Sequence, residues 1–94
     1  MIRWLGHAED DLMAIEDYIA LDNPIAAIET ADKIWFSTSK LTDNPQIGRE
    51  GRVKGTRELV VTGTPYIVVY QQKSKQDDIN ILRVLHGSQR WGEV

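Results

Sequence analysis

Four side chains in the second half of this 94-residue chain have the chemistry for proton transfer and for holding negative charge: Arg57, Glu58, Arg83 and His86. His86 is the best single acid or base, because an unperturbed imidazole titrates near neutrality. Arg57 and Arg83 are permanent cations that can stabilise developing negative charge, and Glu58 can pair with either of them. A second cluster, Arg49, Arg52, Lys54 and Arg57, is interleaved with Glu50, Gly51 and Gly55. It can contact phosphates or an acidic protein surface, or stand as a solvated loop. Gln89 and Trp91 lie in the tail, and tryptophan is enriched at interface hot spots. Packing of Trp91 back onto the fold is the competing reading. The absence of cysteine removes disulfides, thiol nucleophiles and cysteine-based zinc sites, and neither a metal nor a cofactor is expected.

The elements that must position these residues read as a meander from Gly51 to Trp91. Arg57–Val61 alternates Leu59 and Val61 against Glu58 and Val60, and Thr62-Gly63-Thr64-Pro65 makes a short turn. Tyr66–Tyr70 is wholly β-branched or aromatic, suited to a packed pleated surface. Lys73–Asp78 is the next turn and Ile79–His86 the last strand. Strict alternation puts Ile79, Ile81, Arg83 and Leu85 on one face, and Asn80, Leu82, Val84 and His86 on the other. Arg83 and His86 then project oppositely, which is poor geometry for one site. Arg83 among apolar neighbours requires a carboxylate partner, Glu58 or an acid from another protein.

Upstream, Ile2–Leu5 reads as a short first strand. Ala8, Leu12, Ile15 and Ile19 recur at helical spacing and predict a helix to about Ala20. Asn23 can cap a second helix, with Pro24 at its first position, running to about Leu41. Ala27, Ala31, Ile34, Thr38 and Leu41 form its inward stripe; Ile25, Ile28 and Trp35 broaden it. Trp4 and Trp35 are expected in the core and His7 in solvent. The fold class is therefore α+β in the order βααβββ, one domain over residues 1–94. A helical hairpin packs on one face of a small, mainly antiparallel four-stranded sheet. Both faces of the last strand are largely apolar, so the sheet is expected to keep an uncovered apolar face for a partner.

Composition is that of an ordinary folded domain, with 41% hydrophobic and 27% charged residues. No apolar run approaches a membrane span, and Met1–Trp4 lacks a signal-peptide pattern, so a cytoplasmic location and no membrane partner are expected. The net charge of −3 is uneven. Residues 1–43 carry nine acids and three bases, whereas residues 44–94 carry five acids and eight bases. A pI near 5.2 weighs against generic nucleic-acid binding.

The βααβββ order, Asp22-Asn23-Pro24, Gly55-Thr56-Arg57-Glu58-Leu59, Pro65–Tyr70 and Ile81–Gly87 with Gln89 and Trp91 together resemble the ParE/RelE superfamily of bacterial toxin–antitoxin toxins over nearly the whole chain. The resemblance implies a small toxin bound by a cognate antitoxin, with operator DNA reached only through that antitoxin. In the ParE branch the target is DNA gyrase, trapped with cleaved DNA. In the RelE branch the toxin is a ribosome-dependent mRNA endoribonuclease. Such a nuclease needs a group to take the 2′-hydroxyl proton, a cation for the phosphate and an acid for the leaving oxygen. Here Arg57, Arg83 and His86 would supply them. The low pI and the lack of a dense basic set favour the gyrase branch. In that branch Arg49, Arg52, Lys54, Arg57, Glu58, Arg83, His86, Gln89 and Trp91 are candidate contacts for target or antitoxin, without catalytic chemistry. A decayed toxin kept as an antitoxin-binding partner is a third reading.

Overall fold

A short first strand, β1 (Ile2–Trp4), is followed by the helices α1 (Gly6–Ala20) and α2 (Pro24–Ser39) in the computed structural model, which describes residues 1–73 and 78–89. Asn23 caps α2 as its type predicts, its side-chain oxygen accepting from the Ala26 N–H at 3.0 Å, with Pro24 at the first helical position. Then come β2 (Arg49–Glu50), β3 (Arg57–Val60), β4 (Tyr66–Gln72) and β5 (Ile79–His86). The sheet order is β1-β5-β4-β3-β2, with β1 parallel to β5 and the other pairs antiparallel. The two-residue β2 is a fifth strand beyond the four expected. Its brevity and glycine-flanked sequence carry no strand periodicity.

The β3–β4 turn works through Gly63, whose φ of +80° is open to glycine without steric cost. Lys73 N–H donates to Asp78 O at 2.7 Å across the base of the next connection. The rest of the turn expected over Lys73–Asp78, and the tail that includes Trp91, lie outside the described residues. No helix among the described residues is long and apolar enough to cross a membrane.

The core lies between the hairpin and one sheet face. Ala8 and Leu12 of α1, Ala31 and Ile34 of α2, and Val68, Tyr70, Ile79, Ile81 and Val84 of the sheet form it, closed by Leu41 and Val61. This corrects the strict alternation expected in β5. Val84 points into the core together with Ile79 and Ile81. The β4–β5 register slips between Val69 and Tyr70, with Val69 opposite Arg83 and Tyr70 opposite Ile81, so Leu82 is the additional residue. A bulge of this kind reverses which face later residues occupy.

The expectation of an uncovered apolar sheet face is also corrected. On the face away from the helices, Ile67, Val69 and Leu85 are all buried. Arg49 and Arg52 reach onto this face to meet Glu58, which stands opposite Val69. The large exposed apolar side chains cluster instead on the helical hairpin: Met13, Tyr18, Leu21, Ile25, Ile28, Trp35 and Phe36. Trp35 is half-exposed and packs against Trp4, the tilted rings having centroids 4.6 Å apart. Ile25, Ile28 and Trp35 therefore do not broaden the buried stripe. They belong to the outward flank beside it.

Tyr70 fixes the long loop between α2 and β2. Its ring is fully buried, its hydroxyl donates to Pro45 O at 2.8 Å, and it accepts from Gly48 N–H at 2.9 Å. A Cβ at Gly48 would lie 2.7 Å from the Tyr70 ring, so only glycine lets the loop close this tightly. Tyr70→Phe keeps the ring but strands a buried amide, which costs about 1–3 kcal/mol. Urea unfolding should show that loss as a lower midpoint at unchanged slope; an unchanged midpoint would mean that the loop is held otherwise.

Candidate functional site

The candidate residues lie on or beside β2, β3 and β5, and Arg49, Arg52, Arg57, Glu58, Arg83, His86 and Gln89 each have an identifiable partner. Glu58 is the most constrained. Its side chain is 1% exposed, in a strand position that neighbours Val69. One carboxylate oxygen accepts from Arg49 Nη2 at 3.1 Å and Arg52 Nη2 at 3.4 Å. The other accepts from the Arg52 backbone N–H at 3.0 Å and Arg52 Nε at 3.2 Å. Burial disfavours the charged carboxylate, but the hydrogen bonds from Arg52 and Arg49 outweigh it and hold Glu58 below the usual carboxyl range. A carboxylate so stabilised is a poor proton acceptor.

Arg52 extends this knot to the tail, its Nη1 donating to Gln89 O at 3.0 Å. The basic segment is thus not a set of free cations. Arg49 and Arg52 are folded onto Glu58, while Arg57 Nη1 donates to Gly48 O at 2.7 Å and Gln46 O at 3.4 Å. Lys54, exposed at the loop, stands apart from this set.

Arg83 finds its carboxylate in α1, a partner that the sequence reading did not propose. Asp11 accepts from Arg83 Nε at 2.7 Å and Nη2 at 3.0 Å, a bidentate arrangement that raises the arginine pKa further. Asp11 Oδ2 also accepts the Val84 N–H at 2.9 Å. β1 pairs with β5 only over Ile79–Ile81, so the strand edge beyond it needs another acceptor. Asp11 provides it. The available signal was spacing, since Ala8, Asp11 and Ile15 share one helical face, which puts an acid among inward residues.

His86 ends β5 and is exposed. Its ring meets Tyr66 edge-on at 5.8 Å. Nδ1 accepts from the Ser88 N–H at 3.2 Å and lies 2.8 Å from Ser88 Oγ, while its own backbone N–H donates to Gln89 Oε1 at 2.7 Å. Acceptance at Nδ1 leaves the neutral ring's proton on Nε2. The three residues of the nuclease reading do not come together. Arg57 stands opposite Tyr70 and His86 opposite Tyr66, four residues and roughly 13 Å apart along β4. Among the described residues, no three His, Cys, Asp or Glu side chains gather as metal ligands would.

The Glu58 knot sets an acid limit on stability. A carboxyl whose folded pKa is depressed contributes stability that is complete above its unfolded value, near 4.5, and is lost as pH falls through the folded value. Glu58→Gln should lower stability at pH 7 by about 1–3 kcal/mol and flatten the loss below pH 4.5, read from urea midpoints across pH. Parallel pH profiles for the two proteins would show that Glu58 is not the group responsible.

Comparison with known proteins agrees with this architecture. The family model described as the ParE toxin of the type II toxin–antitoxin system parDE matches residues 2–91. The Y4kP protein of Sinorhizobium fredii is 40% identical over 93 residues, covering 99% of this chain and 94% of that protein. Toxin RelE2 of Caulobacter vibrioides is 33% identical over 87 residues, covering 93% and 94%. Among solved structures, the chromosomal ParDE system of P. aeruginosa superposes with a TM-score of 0.77 at 30% identity, over 90% of this chain and 92% of that one. The RelBE2 toxin–antitoxin complex of Mycobacterium tuberculosis shares the fold, with a TM-score of 0.63 at 24% identity, over 92% and 95%. The chain belongs to the ParE toxin family of type II toxin–antitoxin systems, within the ParE/RelE superfamily.

Proposed function

We propose that this toxin acts in the ParE manner, in the cytoplasm, by binding DNA gyrase and stabilising its cleaved-DNA complex, and that a cognate antitoxin neutralises it. The observation that carries this reading is the dispersal of the would-be catalytic set. Arg83 is taken by Asp11, Arg57 by loop carbonyls, and Glu58 by two arginines. His86 stands apart from all three with its Nδ1 occupied by Ser88. A phosphodiester-cleaving site needs base, cation and acid around one phosphate, and an enzyme preorganises such groups. The ParE family match and the ParDE neighbour point the same way. Operator DNA would be reached only through the antitoxin.

A RelE-like endoribonuclease is the second reading, favoured by the 33% identity to a protein named RelE2 and by the exposure of His86. The two differ in what His86 does. As a contact residue it is dispensable, so His86→Ala should retain growth arrest on induction. Loss of arrest in a folded His86→Ala protein, with cut messages in cells making the unaltered chain, would overturn the gyrase reading. The direct assay mixes purified chain, gyrase and supercoiled plasmid, then adds detergent and protease. Linear DNA is the expected product; intact supercoils beside a drug control that linearises them would reject the proposal.

A further inference from the structure

One carboxylate gathers two guanidiniums at Glu58, so the knot keeps one net positive charge at a place fixed by the fold. The Glu58 side chain is 1% exposed, whereas those of Arg49 and Arg52 are 59% and 42% exposed. Arg52 is fastened at three nitrogens, through Nε and Nη2 to Glu58 and through Nη1 to Gln89 O. One N–H on each of its terminal nitrogens is left without an acceptor among the described residues. Arg49 gives a single Nη2 N–H to Glu58 and keeps four others. The segment between them is itself closed, Gly51 N–H donating to Thr56 O at 2.8 Å and Thr56 N–H to Val53 O at 3.1 Å. Residues 49–58 hold four bases and two acids, a local balance of +2 in a chain of −3.

We propose that Arg49 and Arg52 form a preorganised clamp for a carboxylate on the surface of the toxin's protein target, with Glu58 as the residue that positions both. That this target is gyrase rests on the reading above. An arginine fork meets a carboxylate in a planar, two-point arrangement that a lysine cannot reproduce. A long side chain ordinarily loses rotamer freedom when it docks. Here the fold has already ordered both, since Glu58 and Gln89 hold them before any partner arrives. Local charge selects the ligand as well. A single net positive charge fits one acidic side chain, whereas a nucleic-acid backbone draws on many cations along its length. The nine acids among the first 43 residues further oppose a duplex laid on the chain.

The test uses the full chain, a labelled oligoglutamate peptide and its oligoglutamine counterpart. Fluorescence anisotropy should show saturable binding of the glutamate peptide, at least about tenfold tighter than the glutamine peptide and weakening with salt. Arg49→Gln leaves Glu58 its three bonds from Arg52, so the fold persists while binding weakens by about tenfold. Arg3→Gln removes an exposed cation from β1 and is the charge-matched control that should change nothing. Glu58→Gln separates positioning from simple charge. It makes the knot more positive, so electrostatics alone predicts tighter binding, whereas a clamp without its anchor binds about tenfold more weakly below the variant's thermal midpoint. Equal affinity for the two peptides, indifference to Arg49→Gln, or tighter binding by Glu58→Gln would each overturn the proposal. So would a DNA duplex that binds the chain without gyrase and loses affinity on Arg49→Gln, which would assign the arginines to phosphate. Plasmid cleavage with gyrase then separates the two readings. Linear DNA formed by the Arg49→Gln protein at the unaltered level sinks the clamp and leaves the gyrase reading standing. A glutamate peptide held by a chain that forms no linear DNA does the reverse.

Discussion

A carboxylate in the middle of a small sheet is the constraint to which the chemistry of this surface answers. Glu58 stands beside Val69 with almost no solvent contact. A lone charge there would cost several kcal/mol, and it is tolerable only because Arg49 and Arg52 supply four donated hydrogen bonds. Satisfying Glu58 decides where the glycine-rich basic segment goes. It pulls Arg52 over the sheet, places Arg49 beside β3, and through Arg52 anchors the tail at Gln89. Asp11 does the same at the opposite side, binding Arg83 and an otherwise open edge amide of β5. Two acids thereby hold three guanidiniums, of which Arg83 is the one that the nuclease reading would need.

That pairing bears on the functional readings where the fold does not, since one fold serves both branches. Glu58 and Asp11 offset two of the three guanidiniums they hold, which lowers the positive charge this surface could bring to an RNA-walled cleft, where binding depends on neutralising phosphates. Recognition of a protein target asks for less. It needs shape, a few anchors and complementary charge, and the hairpin and the Tyr66–His86 rim supply apolar and aromatic surface for it.

Much of this was legible in the sequence. Element order, both helices, the Asn23-Pro24 start and the limits of β5 follow from periodicity and capping chemistry, which are local. What failed was nonlocal or cancelled a pattern. The β5 bulge is invisible to strict alternation, so Val84 was assigned to the wrong face. β2 exists because Arg49 and Glu50 pair with Glu58 and Arg57, which strand propensity does not encode. Arg83 among apolar neighbours requires an acid, yet Asp11 lies 72 residues away, beyond what local pattern can pair with it. The tryptophans misled through size, because Trp35 is large enough to touch Trp4 and still leave half of itself in water.

The misplaced apolar face is the most instructive error, because its premise was sound. A chain this short has more apolar surface than one hairpin and one sheet can hide between them. The excess was assigned to the sheet, because one helical hairpin covers only one of its faces. Ile67, Val69 and Leu85 on the far sheet face are buried, and most of the exposed large apolar side chains of the described residues lie on the helices. There they meet the acids that gave the first half of the chain its negative balance. Charge asymmetry and exposed apolar area, two separate oddities of the sequence, thus coincide on the outer side of one helical hairpin.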